Sequence, residues 1–265
     1  MVVLGIDAAW TENQPSGISL LASKDDEQCK ILRLGDSYEN FLEKRQHLTV
    51  KPKGSKPEIT KIIKNCEALG YSVDAIAVDM PLSNELITKR RSCENEISKA
   101  YAAKGASVHS PTIDRPGVIA LDLIQSLREQ GYFLATKNNK VHRKAVLEVY
   151  PHTAIIEYLN LDYRYEYKVS KKNSYRNWKS LTKEERNRKL INNLNHLIVN
   201  LGKRVINIED YLPQLNSDVH YVGWYLKGYE DMIDSLISAL VGMDYLLDNV
   251  IGYGAEDGTI WVPTK

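Results

Sequence analysis

Val2-Val3-Leu4-Gly5-Ile6-Asp7-Ala8-Ala9-Trp10 is the stretch whose reading decides the fold. Val2 to Ile6 is apolar, rich in β-branched residues and free of charge, the pattern of a short strand buried on both faces. The run stops on Asp7, followed by two small residues. A carboxylate at the tip of a buried strand is costly unless a cation, donors or a proton answers it. Taken alone, Asp7 reads equally as a turn or helix-capping residue. Asp79, Glu148 and Asp234 bear on the choice, because each sits where a predicted element can return to Asp7.

Outward from that strand, Gln14-Pro15-Ser16-Gly17 is a turn signal, and Ile18 to Ala22 reads as a second strand. Lys24-Asp25-Asp26-Glu27 is a polar turn before a third strand, Cys29 to Leu34. Short turns between three strands predict an antiparallel meander. Phe41 to Lys56, polar and rich in lysine and proline, reads as a loop with a little helix. Ser55 with Glu58, and Pro57 between them, predicts a capping-box start to a helix carrying Ile59, Ile62, Ile63, Cys66 and Leu69 up to Gly70. Ala75 to Val78 is a fourth buried strand, ending on Asp79 and broken by Pro81. A meander, a crossover helix and a fourth strand place that strand parallel to the first. Parallel neighbours share the edge at which open α/β sheets bind ligands. Asp7 and Asp79 are therefore expected to be neighbours.

Further along, Leu82 to Tyr101 is read as a helix, and 105–117 as a substrate-facing loop or an ordinary surface connection. Val118 to Gln130 is an amphipathic helix. Ala145 to Tyr150 is a fifth strand containing Glu148, and Pro151 opens a helix to Leu159. Asp162 to Ser180 interleaves Arg164, Lys168, Lys171, Lys172, Arg176 and Lys179 with Tyr163, Tyr165, Tyr167, Tyr175 and Trp178. Such a pattern suits phosphate tracking with base stacking, or else a solvated insertion with snorkelling side chains. Thr182 and Glu185 form a second capping box before a helix to Leu201, and 212–229 is irregular. Asp231 to Asn249 is a final helix whose apolar arc, Ile233, Leu236, Ile237, Leu240 and Leu247, is expected to pack on the sheet. Asp231, Ser235, Ser238 and Gly242 form a small polar arc, with Asp234 at the border. Gly258 to Pro263 closes the chain as a short strand or tail.

The 43% hydrophobic content over 265 residues is enough for a sizeable core. Lys plus Arg (35) nearly balance Asp plus Glu (34), which argues against a protein that coats nucleic acid by bulk charge. No apolar run approaches a membrane span and the N-terminus lacks the pattern of a signal peptide, so no membrane association is expected. Cys29, Cys66 and Cys93 are odd in number and widely spaced, which reads as reduced thiols in a cytoplasmic protein. Sixteen tyrosines stand against two phenylalanines. Oligomeric state leaves no mark on the sequence.

Two carboxylates about 4 Å apart repel by roughly 4 kcal/mol at an effective dielectric near 20. A site gathering several must bind metal or hold protons. Oxygen ligands without clustered Cys or His select Mg²⁺ or Mn²⁺, and paired ions of this kind serve displacement at phosphorus. Asp7, Asp79 and Asp234 are the catalytic candidates, with Asp231 and Glu148 completing a metal set for two ions. Arg91, Arg115, Lys144, Lys168 and Lys172 are the candidate substrate contacts.

Gly5-Ile6-Asp7-Ala8-Ala9-Trp10 with Pro15-Ser16-Gly17, and Val78-Asp79-Met80-Pro81-Leu82, resemble a family of predicted nucleases of the DUF429 type. Arg91 with Cys93-Glu94, Gly105 to Val108, Arg115-Pro116-Gly117, Glu148 to His152 and Asp234-Ser235-Leu236 extend the resemblance along most of the chain. It implies an RNase H-like α/β fold in one domain over 1–265. The expected sheet is mixed and five-stranded, an antiparallel meander plus parallel strands, flanked by helices, with helical insertions at about 82–143 and 160–228. It also implies that Asp7, Asp79 and Asp234 are the metal-binding carboxylates of that fold, and that Asp231 resembles the extra helix carboxylate of the Holliday-junction-resolvase branch.

The leading expectation is a metal-dependent nuclease or phosphodiesterase with a nucleic acid substrate. A non-catalytic binding or scaffold protein of the same fold is the alternative. A phosphotransferase of the actin and sugar-kinase type shares the strand pattern. It requires a Gly-, Ser- or Thr-rich phosphate loop where Ala8-Ala9-Trp10 stands.

Overall fold

The computed structural model describes residues 1–24, 28–44 and 48–264. The turn expected at 24–27 and the loop expected at 41–56 therefore lie partly outside the described residues. The opening stretch forms β1 (Val2–Asp7), followed by β2 (Gly17–Ala22), β3 (Lys30–Gly35), α1 (Tyr38–Glu43), α2 (Ile59–Ala68) and β4 (Ala75–Val78). Next come α3 (Ser92–Tyr101), α4 (Val118–Glu129), β5 (Phe133–Leu134), β6 (Ala145–Val149) and α5 (Pro151–Tyr158). Two short 3-10 turns, Val169–Lys171 and Arg176–Trp178, lead to α6 (Lys183–Leu201), α7 (Ile208–Tyr211), α8 (Gly223–Leu246), β7 (Val250–Ala255) and β8 (Gly258–Pro263).

Among the described residues all the strands join one sheet in the order β3-β2-β1-β4-β6-β8-β7, with β5 paired to β6. β1, β2 and β3 form the expected antiparallel meander, while β4 runs parallel to β1, and β6 to β4. This is a mixed α/β sheet with helices on both faces, consistent with an RNase H-like fold. The sheet has eight strands where five were expected. β5 has only two residues, and β7 with β8 forms a hairpin at the far edge, whose glycine-rich first strand gives little periodic signal.

Period-two alternation sorts the strand side chains between two cores. Leu4, Ile6, Ile76, Val78 and Val146 pack with residues of α1, α2 and α4 on one face. Val3, Ala75, Ala77, Ala145, Leu147 and Val149 pack on the other with α5, α6 and α8. Gly5 and Asp7 share the parity of Val3, so both belong to the α8 face. Glu148 shares the parity of Val146 and belongs to the opposite one.

α8 runs across β1 and β2 at unusually short range. A Cβ on Gly5 would lie 2.0 Å from the Ser235 carbonyl oxygen, and one on Gly17 would lie 2.0 Å from that of Asp231. The Ser19 hydroxyl donates to the Ser235 carbonyl across the same contact at 2.8 Å. The small arc of α8 therefore makes the closest approach to the sheet, a place the sequence assigned to its apolar arc. Ile233, Leu236, Ile237 and Leu240 flank that contact in a core that joins Val3, Leu21 and Ala77 of the strands to Ala154, Ile155, Leu190 and Leu194. α8 is buried on all sides from Gly228 to Tyr245, so hydrophobic periodicity alone does not single out the arc that approaches the sheet most closely.

Other local readings also change. The second capping box, Thr182 with Glu185, is present. The first is not: α2 begins after Glu58 without a side-chain cap. α3 starts only at Ser92, because Arg91 caps it with Glu94 at the third position and 82–91 runs irregularly after Pro81. α8 begins at Gly223, within the segment read as irregular. The tyrosine- and lysine-rich stretch is split: Tyr163, Lys171, Arg176 and Lys179 are exposed, while several of its rings turn inward. Tyr167 and Trp178 are fully buried, and Tyr175 packs on Trp178 at 4.8 Å. Among the described residues, no helix is long and apolar enough to cross a membrane. The three cysteines are buried and unpaired with one another.

Replacing Gly5 or Gly17 with alanine must push α8 away from the sheet. Each is expected to lower stability by about 3 kcal/mol or more, in the range of severe overpacking, read as a shift in the urea midpoint.

Candidate active site

β1 and β4 deliver Asp7 and Asp79 side by side. Ile6 pairs with Val78 in the parallel ladder, and the Asp79 amide donates to the Ile6 carbonyl at 2.8 Å. The close passage of α8 brings Asp231 to the same edge. These three carboxylates line a cleft of about 860 Å³, with Trp10, Trp224, Arg115, Lys51, Lys171 and Lys227 around them. His109, Ser110 and Thr112 line it as well, so the 105–117 loop does face the cleft. The Arg90 guanidinium donates to Ser110 at 2.7 Å and steadies that loop.

Asp234 lies beneath the floor, fully buried. Tyr167 donates its hydroxyl to one carboxylate oxygen at 2.5 Å, and the Lys168 ammonium pairs with the other. Lys168 also reaches Glu230 at 3.2 Å, and the Val169 amide donates to Glu230 at 2.5 Å. Lys227 spans Glu230, at 3.3 Å, and Asp231. Three acidic residues in one turn of a buried helix are thus answered by two lysines.

The electrostatics of the site record the crowding. Burial, reinforced by the Asp7 charge, lifts the Asp79 carboxyl well above the usual carboxylate range. Burial lifts Asp231 similarly, with Lys227 pulling down and Asp7 pushing up. Asp234 is raised to about 6, by burial first and against the pull of Lys168. Burial works the same way on Glu230, but Lys168 and Lys227 hold it below its ordinary value.

A second acidic cluster lies on the opposite face of the sheet. The Arg91 guanidinium donates to both oxygens of Glu148, at 2.7 and 2.9 Å, and from Nε to Glu94 at 2.9 Å. The Leu82 amide adds a bond to Glu148 at 2.8 Å. Single ligand atoms of Cys93, Glu94 and Glu148 lie within 4.8 Å of one another, a spacing able to hold a metal ion. Arg91, 5% exposed, already supplies a positive charge there. It is the only such trio among the described residues; Asp7, Asp79 and Asp231 do not bring ligand atoms that close together in the metal-free chain.

A family model matches the chain over residues 5–257, under the description Protein of unknown function (DUF429). The chain belongs to this family. No curated protein and no solved structure matches it.

In this DUF429 chain the site residues expected from sequence divide cleanly. Asp7, Asp79 and Asp231 share the cleft with Arg115. Asp234 adjoins them from below. Glu148 and Arg91 do not belong with them: strand parity sends Glu148 to the other face, where Arg91 is consumed by Glu148 and Glu94. Lys144 precedes β6 at the opposite edge of the sheet, where it lies 4.7 Å from the Tyr132 ring centroid. Lys168 is turned inward onto Asp234 and Glu230, and Lys172 bonds Asn187 at 2.8 Å. Lys171, Lys227, Trp10 and Trp224 line the cleft instead. Lys227 carried a signal, standing four residues before Asp231 on one helix face, but the helix start at Gly223 was not legible.

Asp79, Asp231 and Asp234 have folded-state values above their unfolded ones. Their stabilising contribution is complete below the ordinary carboxylate value near pH 4 and is lost as pH rises through the folded values. The metal-free protein is therefore expected to melt at a higher temperature at about pH 5.5 than at about pH 7.5. Asp7→Asn removes a charge that raises all three, so it is expected to flatten this dependence and leave neutral stability equal or higher. Paired melts at both pH values check this. Glu148→Gln leaves Arg91 buried with weakened pairing and is expected to cost about 3 kcal/mol, read by urea unfolding.

Proposed function

We propose that this protein is a divalent-metal-dependent phosphodiesterase acting on nucleic acid, with Mg²⁺ or Mn²⁺ held at the Asp7 edge of the sheet. The observation that carries the reading is the convergence of Asp7, Asp79 and Asp231 on one cleft floor, where burial raises the proton affinity of Asp79 and Asp231. Such a set favours any cation able to replace those protons, and an all-oxygen donor set suits a hard divalent ion. Asp7, Asp79 and Asp231 would hold the metal. Asp234 would join them only on exchanging Lys168 for it. A bound ion there supplies Lewis-acid activation of water and stabilisation of charge developing at phosphorus. Arg115, Lys51 and Lys171 at the walls draw the phosphate backbone towards the acidic floor. Reduced, buried cysteines support a cytoplasmic setting.

One observation favours a second reading, a non-catalytic binding protein. Lys168 and Lys227 already neutralise much of the α8 charge, so the edge is satisfied without metal. Metal response separates the two. Under the enzymatic reading, Mn²⁺ at a hundredfold over its dissociation constant stabilises the wild type by about 2.7 kcal/mol. Asp7→Asn is expected to abolish both this stabilisation and the cleavage of labelled DNA or RNA, while Glu148→Gln keeps the Mn²⁺ response. A wild type whose melting temperature ignores Mn²⁺ and which cuts no nucleic acid would retire the enzymatic reading.

A further inference from the structure

In the stretch that the sequence offered for base stacking, Tyr167, Tyr175 and Trp178 are buried, yet the cleft carries two other indoles. Trp10 follows the Asp7-Ala8-Ala9 floor directly, and Trp224 stands in the first turn of α8. Both line the cleft, and both are only partly buried. Trp224 is seven residues before Asp231 on a continuous helix, about 10 Å along its axis. The Arg115 guanidinium lies 5.5 Å from the centre of the Trp10 ring, and Lys51 and Lys171 are exposed on the walls.

We infer that this cleft takes single-stranded nucleic acid, with unpaired bases stacked on Trp10 and Trp224 and the backbone between them led over the aspartate floor. The fate of the phosphate rests on the phosphodiesterase reading; the stacking does not. An indole gains from a base only when the base face is open, and a duplex has those faces already covered by neighbouring bases. A cleft of about 860 Å³ falls in the range of small-ligand sites, roughly 300–1,000 Å³. That volume suits a nucleotide-sized segment of a strand. A strand also fits better than a free nucleotide, because two indoles and the three wall cations Lys51, Arg115 and Lys171 offer more than one base and one phosphate can use. Aromatic platforms alternating with cations along a groove are the general means of holding single strands without reading their sequence.

The test uses the full chain carrying Asp7→Asn, so that binding is read without cleavage. A fluorescein-labelled oligothymidine, a labelled hairpin duplex and free thymidine monophosphate are titrated by anisotropy or by quenching of tryptophan emission. The oligothymidine is expected to bind at least about tenfold more tightly than either competitor. Trp10→Ala and Trp224→Ala are each expected to weaken strand binding about tenfold or more, as the loss of one stacked base implies. Trp10→Phe and Trp224→Phe are expected to recover most of it, and their recovery separates stacking from damage to the fold. Equal affinity for hairpin and strand, tightest binding of the free nucleotide, or unchanged strand affinity in both alanine variants would overturn the inference. Absence of strand binding in a protein whose wild type still responds to Mn²⁺ overturns it too, leaving the metal site intact. Tryptophan-dependent strand binding in a chain that ignores Mn²⁺ and cuts nothing upholds it while retiring the phosphodiesterase reading.

Discussion

The passage of α8 over Gly5 and Gly17 is the contact on which the rest of the molecule depends. With no Cβ on either strand residue, the helix backbone approaches the sheet closely enough for Ser19 to donate to the Ser235 carbonyl. That approach carries Glu230, Asp231 and Asp234 into the protein beside Asp7 and Asp79. Carboxylates there lose hydration and feel one another through a poor dielectric. The lysines follow from this. Lys168 comes from the segment after α5 and Lys227 from α8 itself, and each bridges two carboxylates. A buried pair of this kind adds little net stability, but removing one partner would strand a charge.

The two faces of the sheet use acidic residues differently. On the α8 face the carboxylates open onto a cleft and repel one another. On the other face Glu148 and Glu94 enclose Arg91, which also donates to the Leu82 carbonyl at 2.6 Å. This second cluster ties β6, the irregular 82–91 segment and the start of α3 together. Glu148 and Asp79 are close enough to influence each other electrostatically, yet they point to different solvents of the same fold: one to a guanidinium, one to the cleft.

The surplus of tyrosine over phenylalanine also has a structural reason. Tyr132, Tyr167 and Tyr229 are among the largest fully buried side chains. Each spends its hydroxyl on an internal acceptor: the Val73 carbonyl, Asp234 and the Pro213 carbonyl. Tyr158 and Tyr245 do likewise with Asp244 and the Val141 carbonyl. A buried ring with a polar tip fills core volume and satisfies polar groups that irregular connections such as 160–182 would otherwise leave unpaired.

The sequence by itself determined the central strands, the meander, the parallel placement of β4 and hence the pairing of Asp7 with Asp79. It also showed the second capping box and the helix that carries Asp231. These are local signals: apolar runs, turn residues, caps and a crossover rule that depends on element order alone. Only the tertiary structure decided which face each side chain joins. Val78 opposite Glu148 is a matter of register, and shifting it by one residue would exchange the two faces, so the removal of Glu148 and Arg91 from the cleft could not be read along the chain. The same holds for α8, whose hydrophobic arc looked like a sheet-facing surface. Hydrophobic periodicity reports burial without naming the neighbour, and on a helix buried all round it was the small residues, matched to Gly5 and Gly17, that chose the sheet.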